Sequence, residues 1–596
     1  MIPLKSDFCY AILDDRGMAG ESVRAAGFYR HDTRHLSRYV WTFADLELIE
    51  QTATATTLTQ YWSRMRHHVQ EVMLERRLEL LPAGFVEQIR VENWSDEAIT
   101  LDLRLEFAAD FVDIFEVRGH KRRAPRNRVE HTDDLGTHTF TYVARDGIRS
   151  ETRIMLDGLG KSLLLLTPRE SLTRRVTVDF ETDLPAALAA PRKTPHWEPL
   201  IKGERSPVLQ QAVRDVESLL LETTEGRTIA AGIPNFVVPF GRDSLLTAWL
   251  LLDVDPSLAR SVLSYLAARQ GAREDPFHDE EPGKIMHEHR ESELSRIGEM
   301  PFRTYYGSAD STPLFVVLLG NYVDCTGDTA LARELEPNWR SAIRWIERYA
   351  DPRGLINFRQ RDDGHGLTVQ SWKDSADSMS YGDGRLAEGG LAVAEVQGYV
   401  FAALNAAVDL SRLSGGPENE RQDWSDRAAK LADTVDRLFW MPEQDTYALA
   451  LDAEGRQLDV VASDAGHLLW SGIVPEAKAR AVISRLFADD MWSGYGLRTL
   501  STKEKRYNPL SYHNGSVWPH DTALFAAGLH RYGDHEGFAR VRDGLTALAG
   551  HSTDLRLPEL VGGYAREGST PPLPYTESCR PQAWAAAALI YVTMAK

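Results

Sequence analysis

Apolar and polar residues alternate one for one along Ile99-Thr100-Leu101-Asp102-Leu103-Arg104-Leu105-Glu106-Phe107, the period of a half-buried β-strand. Ser162–Thr167 and Thr173–Phe180 read as further strands, with turn residues such as Asn93, Asp146-Gly147 and Asp157-Gly158 between them. Short strands at this spacing predict an antiparallel β-sandwich over residues 1–190. The Pro- and Ala-rich stretch from Asp183 to Glu198 marks a change of period, with the linker placed at 191–204 and a helical domain at 205–596. There the apolar period becomes helical, near 207–223, 241–253, 255–270, 310–325, 328–350, 390–414, 418–439, 463–471, 475–488, 513–532, 533–550 and 580–595. The even-numbered segments open on dense polar, Gly and aromatic strings. The odd ones, such as Pro475–Phe487, are plain amphipathic helices. Twelve helices alternating in this way fit two concentric rings of six, an (α/α)6 barrel with the even helices inside and their starts at one mouth. The irregular stretches 271–309, 351–389, 489–512 and 551–579 each run into an even helix, and loops of that length in a compact domain are usually functional. The competing arrangement is a helical repeat array with surface loops, but no repeat at a fixed period is visible.

Length and charge narrow the class. A chain of 596 residues exceeds the size at which a single core stops growing, so at least two domains are expected. A net charge of -19 argues against a polyanionic partner, and the one dense basic run, His120 to Arg128, reads as an exposed loop, so no nucleic acid is expected. Cys9, Cys325 and Cys579 lack metal-ligand spacing and read as reduced thiols. The N-terminus shows no targeting pattern, and the longest apolar stretch, Ala583–Ala595, is too short to span a bilayer, so a cytoplasmic protein is expected. His287-Glu288-His289-Arg290 is not H-E-x-x-H and reads as a solvated helix face. No P-loop, G-x-G-x-x-G or G-x-S-x-G occurs, and no metal or cofactor is expected.

Two loops ahead of helices carry candidate chemistry: Ser371-Trp372-Lys373-Asp374-Ser375-Ala376-Asp377-Ser378 and Leu557-Pro558-Glu559-Leu560-Val561-Gly562-Gly563. Two separated carboxylates beside a Trp are what glycosidic cleavage requires: one holds a proton for the leaving oxygen, while the other, ionised, activates water or attacks the sugar. With 87 Asp and Glu in the chain, the alternative is a pair of solvated or helix-capping carboxylates.

The strings around these loops resemble a known family. Phe240-Gly241-Arg242-Asp243-Ser244-Leu245, Tyr305-Tyr306-Gly307-Ser308-Ala309-Asp310-Ser311-Thr312-Pro313-Leu314-Phe315, Trp372-Lys373-Asp374-Ser375, Glu395-Val396-Gln397-Gly398-Tyr399, Tyr512-His513-Asn514-Gly515-Ser516-Val517-Trp518-Pro519-His520-Asp521 and Pro581-Gln582-Ala583-Trp584 are similar to the amylo-α-1,6-glucosidase part of glycogen-debranching proteins. Gly27–Ser37 and Ala109–Gly119 resemble the N-terminal domain paired with it in bacteria and archaea. The resemblance implies an inverting (α/α)6 hydrolase related in fold to glucoamylases. It implies Asp374 as general acid, with Asp377 competing in the same loop, and Glu559 as general base, with Glu577 as fallback. Arg242-Asp243 resembles the pair with which glucoamylases grip a terminal glucose; the alternative is an Asp capping the helix. Tyr306, Asp310, Lys373, Glu395 and Gln397 lie in the shared strings and join the candidate substrate contacts. Trp372, Trp492 and Trp518 either stack on sugar faces or fill the core, and His513 and His520 either bind hydroxyls or orient their loop.

Asn235 stands where the family shows an aromatic, and Val237-Val238-Pro239 is also atypical, a changed wall that allows a sugar other than glucose. The chain lacks the glucanotransferase domain of the large eukaryotic debranching enzyme. The expected activity is exo-acting hydrolysis of α-linked glucosides, with α-1,6 branch glucose as one candidate. Competing readings are the same fold acting on a non-glucose or small glycoside, a phosphorylase, a polysaccharide lyase and a non-catalytic glycan-binding protein. The partner is an oligosaccharide or glycoside, and the oligomeric state is left open.

Overall fold

The computed structural model describes residues 1–66, 68–157, 163–184, 206–359, 365–568 and 570–595. The expected linker at 191–204, together with Gly158 and Ser162, lies outside the described residues. Described residues within Met1–Ala187, Ile233–Val237 and Arg290–Arg303 form one compact unit, and those within Leu188–Gly232, Val238–His289 and Thr304–Lys596 form another.

The first unit is built of antiparallel sheets. The largest has eight strands, in the order Glu130–Asp134, Thr137–Val143, Arg149–Asp157, Ser171–Thr182, Gly84–Asn93, Val69–Leu81, Thr57–Arg66, Glu47–Ala53. The alternating strand, Ile99–Ala108, lies between Leu163–Leu166 and Arg38–Phe43 in a second sheet and buries Ile99, Leu101 and Leu103. Register sets the core: pairs such as Leu74↔Val91 and Leu80↔Phe85 point to one face, where they join Leu4, Phe28, Trp41 and Leu101 in a single apolar cluster. Arg76 and Glu87 break the alternation inside that core. Both are fully buried, and Arg76 Nε donates to Glu87 Oε1 at 2.6 Å while Trp41 Nε1 donates to Glu87 Oε2 at 2.6 Å, so both carboxylate oxygens are satisfied, whereas Arg76 Nη2 makes no hydrogen bond among the described residues.

Two segments distant in sequence belong to this unit because their polar groups are satisfied there. Arg290, 1 % exposed, donates to Asp32 Oδ1 at 2.8 Å and to the Asn235 carbonyl at 3.3 Å, and the Tyr142 hydroxyl donates to Glu293 at 2.7 Å. The expectation of a solvated helix face at His287–Arg290 is corrected. Glu288–His289 is a short strand paired with Thr304–Tyr305, drawn inward by the fully buried Ile285 and Met286 just before it.

The second unit is helical: α1 (Pro207–Leu219), α2 (Gly241–Leu250), α3 (Pro256–Ala267), α4 (Ser311–Thr326), α5 (Glu336–Tyr349), α6 (Ala394–Ser414), α7 (Glu418–Leu438), α8 (Asp464–Ser471), α9 (Glu476–Leu486), α10 (Pro519–Arg531), α11 (His535–Gly550) and α12 (Ala583–Met594). Each expected segment holds a helix. The one expected at 328–350 is split at Leu335, with Pro337 in the first turn of α5 where its missing N–H costs nothing. Odd helices bury one stripe, as α5 does with Trp339, Ala342, Ile343 and Ile346. Even helices are buried nearly all round, α12 along most of its length. Packing contacts run from α2 to α4, α6, α8, α10 and α12, and from α12 back to α2. Glycine permits the closest of these approaches: a Cβ on Gly528 of α10 would lie 2.6 Å from Leu469 Cβ of α8. Among the described residues, no helix is long and apolar enough to cross a membrane.

Candidate active site

The starts of the even helices hold polar residues that are almost wholly buried: Arg242 and Asp243 in α2, Asp310 capping α4, Glu395 in α6, Asp464 in α8, and His520 and Asp521 in α10. Arg242 links two of the loops, with Nη1 donating to Asp310 Oδ2 at 2.7 Å and Nη2 to Asp374 Oδ2 at 3.0 Å. Buried with these carboxylates, the guanidinium is held more firmly charged than usual.

The Asp374 loop is pinned from below. Trp372 Nε1 donates to Asp464 Oδ1 at 3.1 Å, and Lys373 Nζ is ion-paired to Asp464 and donates to the Thr499 carbonyl at 2.7 Å. Ser378 Oγ donates to the Ser375 carbonyl at 2.8 Å, and Ser375 contacts the ring of His513. On this fixed frame the Asp374 side chain is 26 % exposed, and its Oδ1 makes no hydrogen bond among the described residues. Burial pushes its pKa up to about 6, against the pull of Arg242 and with help from the charges of Asp310 and Glu288.

Glu559 is held differently. Its Oε1 accepts from the Tyr512 hydroxyl at 2.7 Å and its Oε2 from the Cys579 backbone N–H at 2.9 Å, while its own N–H donates to the Cys579 carbonyl at 2.9 Å. Burial lifts its pKa to about 7; the two donors oppose that rise and the Asp374 charge adds to it. Asp243, whose pKa burial lifts to about 7, also feels the charges of Glu559, Asp374 and Asp310, so it lies within electrostatic reach of the other three carboxylates. The Asp243 side chain makes no hydrogen bond among the described residues, which leaves acceptors for hydroxyl groups.

Other candidates fall into place or away. Asp377 accepts from Asn514 Nδ2 at 3.0 Å on the outer side of its loop, and Glu577 is exposed, so neither shares the Arg242 cluster. Trp372 and Trp518, each 1 % exposed, lie in an aromatic layer with His513 and His520 and present no face to a ligand, because neighbouring rings cover them. Trp492 stands away from the carboxylates: it packs on Phe487, beneath the Arg540 guanidinium and against Gly544 of α11, because the chain at Trp492 still runs along the outer helices. Gln397 spends its amide on the Ile356 N–H and on the Ile356 and Val393 carbonyls, and the Tyr306 hydroxyl donates to the Arg269 carbonyl, so both hold backbone. His520 stacks on Trp584 at 3.7 Å, and burial keeps it and His513 neutral. Glu395, buried near Asp464 with neither oxygen hydrogen-bonded among the described residues, holds its proton well above the usual carboxylate range. The sequence reading gave no site role to Tyr512, although it opens one of the shared strings, nor to His467, which bridges the Tyr399 hydroxyl at 2.5 Å and Asp521 Oδ1 at 2.7 Å beneath Trp372. Membership of that string was the available signal for Tyr512.

Comparison with known proteins agrees with a carbohydrate site. Residues 4–187 match the N-terminal domain of some glycogen debranching enzymes, and residues 240–565 match the mannosylglycerate hydrolase MGH1-like glycoside hydrolase domain. A mannosylglycerate hydrolase from Rubrobacter radiotolerans is 27 % identical over 160 residues, covering 26 % of this chain and 36 % of that protein, so the chain matches only about a third of this curated relative's length. The crystal structure of a GH63 mannosylglycerate hydrolase from Thermus thermophilus in complex with glucose is similar in fold, with a TM-score of 0.50 and 17 % identity over 65 % of this chain and all of that one. Since the second domain match covers more than half of the chain, the protein belongs to the family of MGH1-like glycoside hydrolase domains.

Proposed function

We propose that this protein is an inverting, exo-acting glycosidase in which Asp374 is the general acid and Glu559 the general base, on an (α/α)6 barrel. The carrying observation is the unequal hydrogen bonding of the two carboxyl groups. Asp374 leaves one oxygen open on a partly exposed loop, whereas both oxygens of Glu559 accept from fixed donors. Asp374 delivers its proton to the glycosidic oxygen as the bond to the anomeric carbon breaks. A water on the opposite face of the ring attacks that carbon and gives its proton to Glu559, so a hemiacetal of inverted configuration and a free alcohol leave. The neighbour-to-neighbour packing of the even helices supports the barrel; in that ring α6 and α12, which follow the two carboxylate loops, stand opposite one another. Such a separation suits an intervening water, for which carboxyl groups about 6.5 to 9.5 Å apart are needed. Arg242 and Asp243 hold the terminal sugar through its hydroxyls, with Asp310 fixing the guanidinium.

For the substrate we favour a small hexoside of the mannosylglycerate type, the reading supported by the domain match over residues 240–565. A second reading, α-1,6-linked glucose, is favoured by the match of residues 4–187 and by the acidic character of the cluster, which suits a neutral aglycone better than glycerate. Assays on mannosylglycerate, glucosylglycerate, isomaltose and panose separate the two. The expected result is a kcat/KM for a glycerate glycoside at least about tenfold above isomaltose, about 1.4 kcal/mol in transition-state binding. The reverse order makes the protein a glucan-directed enzyme, and turnover that requires phosphate rules out hydrolysis.

A further inference from the structure

A second cavity, of about 680 Å³, opens toward the C-terminal ends of the even helices. It takes lining residues from all six, among them Trp249 of α2, Asn321 of α4, Phe401 of α6, Trp470 of α8, Arg531 of α10 and Tyr591 of α12. Along the helix axes, at about 1.5 Å per residue, it lies roughly 10 to 20 Å from the residues of the carboxylate cluster. Its lining shares no residue with the Asp374 and Glu559 site.

Two kinds of surface meet in it. The rings of Trp249 and Trp470 form a corner, with centroids 5.0 Å apart at 80°, and Tyr591 lies 5.5 Å from Trp249. The Trp249 indole is fixed by donating to Asn321 Oδ1 at 2.7 Å, and Arg531 spends its Nε on the Trp470 carbonyl at 2.9 Å. The Tyr591 hydroxyl, the Asn321 amide nitrogen and the Asp324 carboxylate make no hydrogen bond among the described residues, though all three residues line the cavity. Asp409, also in the lining, is ion-paired with Arg412.

The charge balance narrows the ligand. Helix C-termini carry partial negative charge, and Asp324 and Asp409 add to it, so an anion is disfavoured. The Arg531 guanidinium in the lining opposes an organic cation. What remains is a neutral molecule with apolar faces for the rings and many hydroxyls for mixed donors and acceptors. The volume suits a ligand of two or three sugar rings.

We infer that this cavity is a second, non-catalytic binding site for a neutral saccharide, in which the Trp249 ring, backed by the buried Trp470, takes a sugar face while Asp324, Asn321 and Tyr591 bind hydroxyls. The site is independent of the reaction assigned to the first one, because its test reads binding and not hydrolysis.

Maltotriose and mannobiose are the probes, titrated calorimetrically into the full chain carrying Asp374→Asn so that the probe is not consumed. The expected result is a saturable event that Asp324→Ala weakens by about tenfold or more and Tyr591→Phe by several-fold, as loss of a charged and a neutral hydrogen bond implies. In the otherwise native chain, the same two replacements should leave kcat/KM on the turned-over glycoside unchanged. Tyr591→Phe keeps the ring and Asp324 lies at the surface, so both variants should fold, which circular dichroism checks. Absence of a saturable event with either probe overturns the inference, as does affinity that neither replacement changes. Preferential binding of D-glycerate or choline overturns the ligand class.

Discussion

Asp374 and Glu559 are similar groups made unlike by their partners, and replacements at these positions give the sharpest expectations. Asp374→Asn keeps the side chain's shape but has no proton to give, so hydrolysis of a glycoside with a poor leaving group should fall by about 10²- to 10⁴-fold with the fold retained. Asp377→Asn and Glu577→Gln should stay near the wild type, since neither carboxylate shares the Arg242 cluster; a loss at either position equal to that at Asp374 or Glu559 would reverse the assignment. With values raised to about 6 and about 7, the two carboxyls titrate as a pair, and the pH profile should be a narrow bell over that range. Falling pH protonates the base, and rising pH ionises the acid. Tyr512→Phe removes a donor that favours ionised Glu559 and so raises the higher of the two values, which sets the alkaline limb; that limb should move to higher pH while kcat falls about tenfold or more and KM changes little. An unmoved limb in the pH–rate profile would leave Tyr512 a packing residue. Asp374 stands out as a candidate in the sequence because it sits in a short string shared with a known family. Tyr512 stands in a shared string too, but its bond to Glu559, 47 positions away, leaves no local trace.

At the scale of the helix, burial of the even-helix starts outweighs the help that a helix N-terminus gives a carboxylate. Glu395 shows it most plainly: the folded chain keeps a proton on this residue that the unfolded chain releases above about pH 4.5. Its contribution to stability is therefore complete below that pH and is lost as pH rises toward the folded-state value. Glu395→Gln removes the titration, so its melting temperature relative to the wild type should shift in favour of the variant between pH 5 and pH 8.5, by thermal denaturation; a constant difference would mean that Glu395 is ionised. Trp492→Ala should cost about 3 to 5 kcal/mol of stability by leaving a cavity against Phe487 and α11, without changing KM. A raised KM with unchanged stability would return Trp492 to the substrate. Helix positions were legible because an apolar stripe repeats over ten or more residues. The break at Leu335 was hidden because the apolar period runs through it, and the strand Glu288–His289 is too short to have a period.

For the whole molecule, the chain turns mainly helical after residue 205, yet Leu220–Thr223, Gly226–Gly232 and Phe236–Pro239 form a small sheet there, and Ile233–Val237 and Arg290–Arg303 belong to the sheet-rich unit. Their allegiance rests on contacts such as Arg290 with Asp32, 258 residues apart, which no window of sequence contains. The helical unit brings strings scattered from Arg242 to Glu559 onto one carboxylate cluster, and the central proposal is that this cluster holds a water between base and sugar. The stereochemistry of the first product tests it most directly. Proton NMR during the first minutes of hydrolysis, before mutarotation mixes the anomers, should show a sugar whose anomeric configuration is opposite to that of the substrate. Initial release of the substrate's own anomer would mean a covalent intermediate and a closer carboxyl pair, about 5 to 5.5 Å apart, and would contradict the pairing of Asp374 with Glu559.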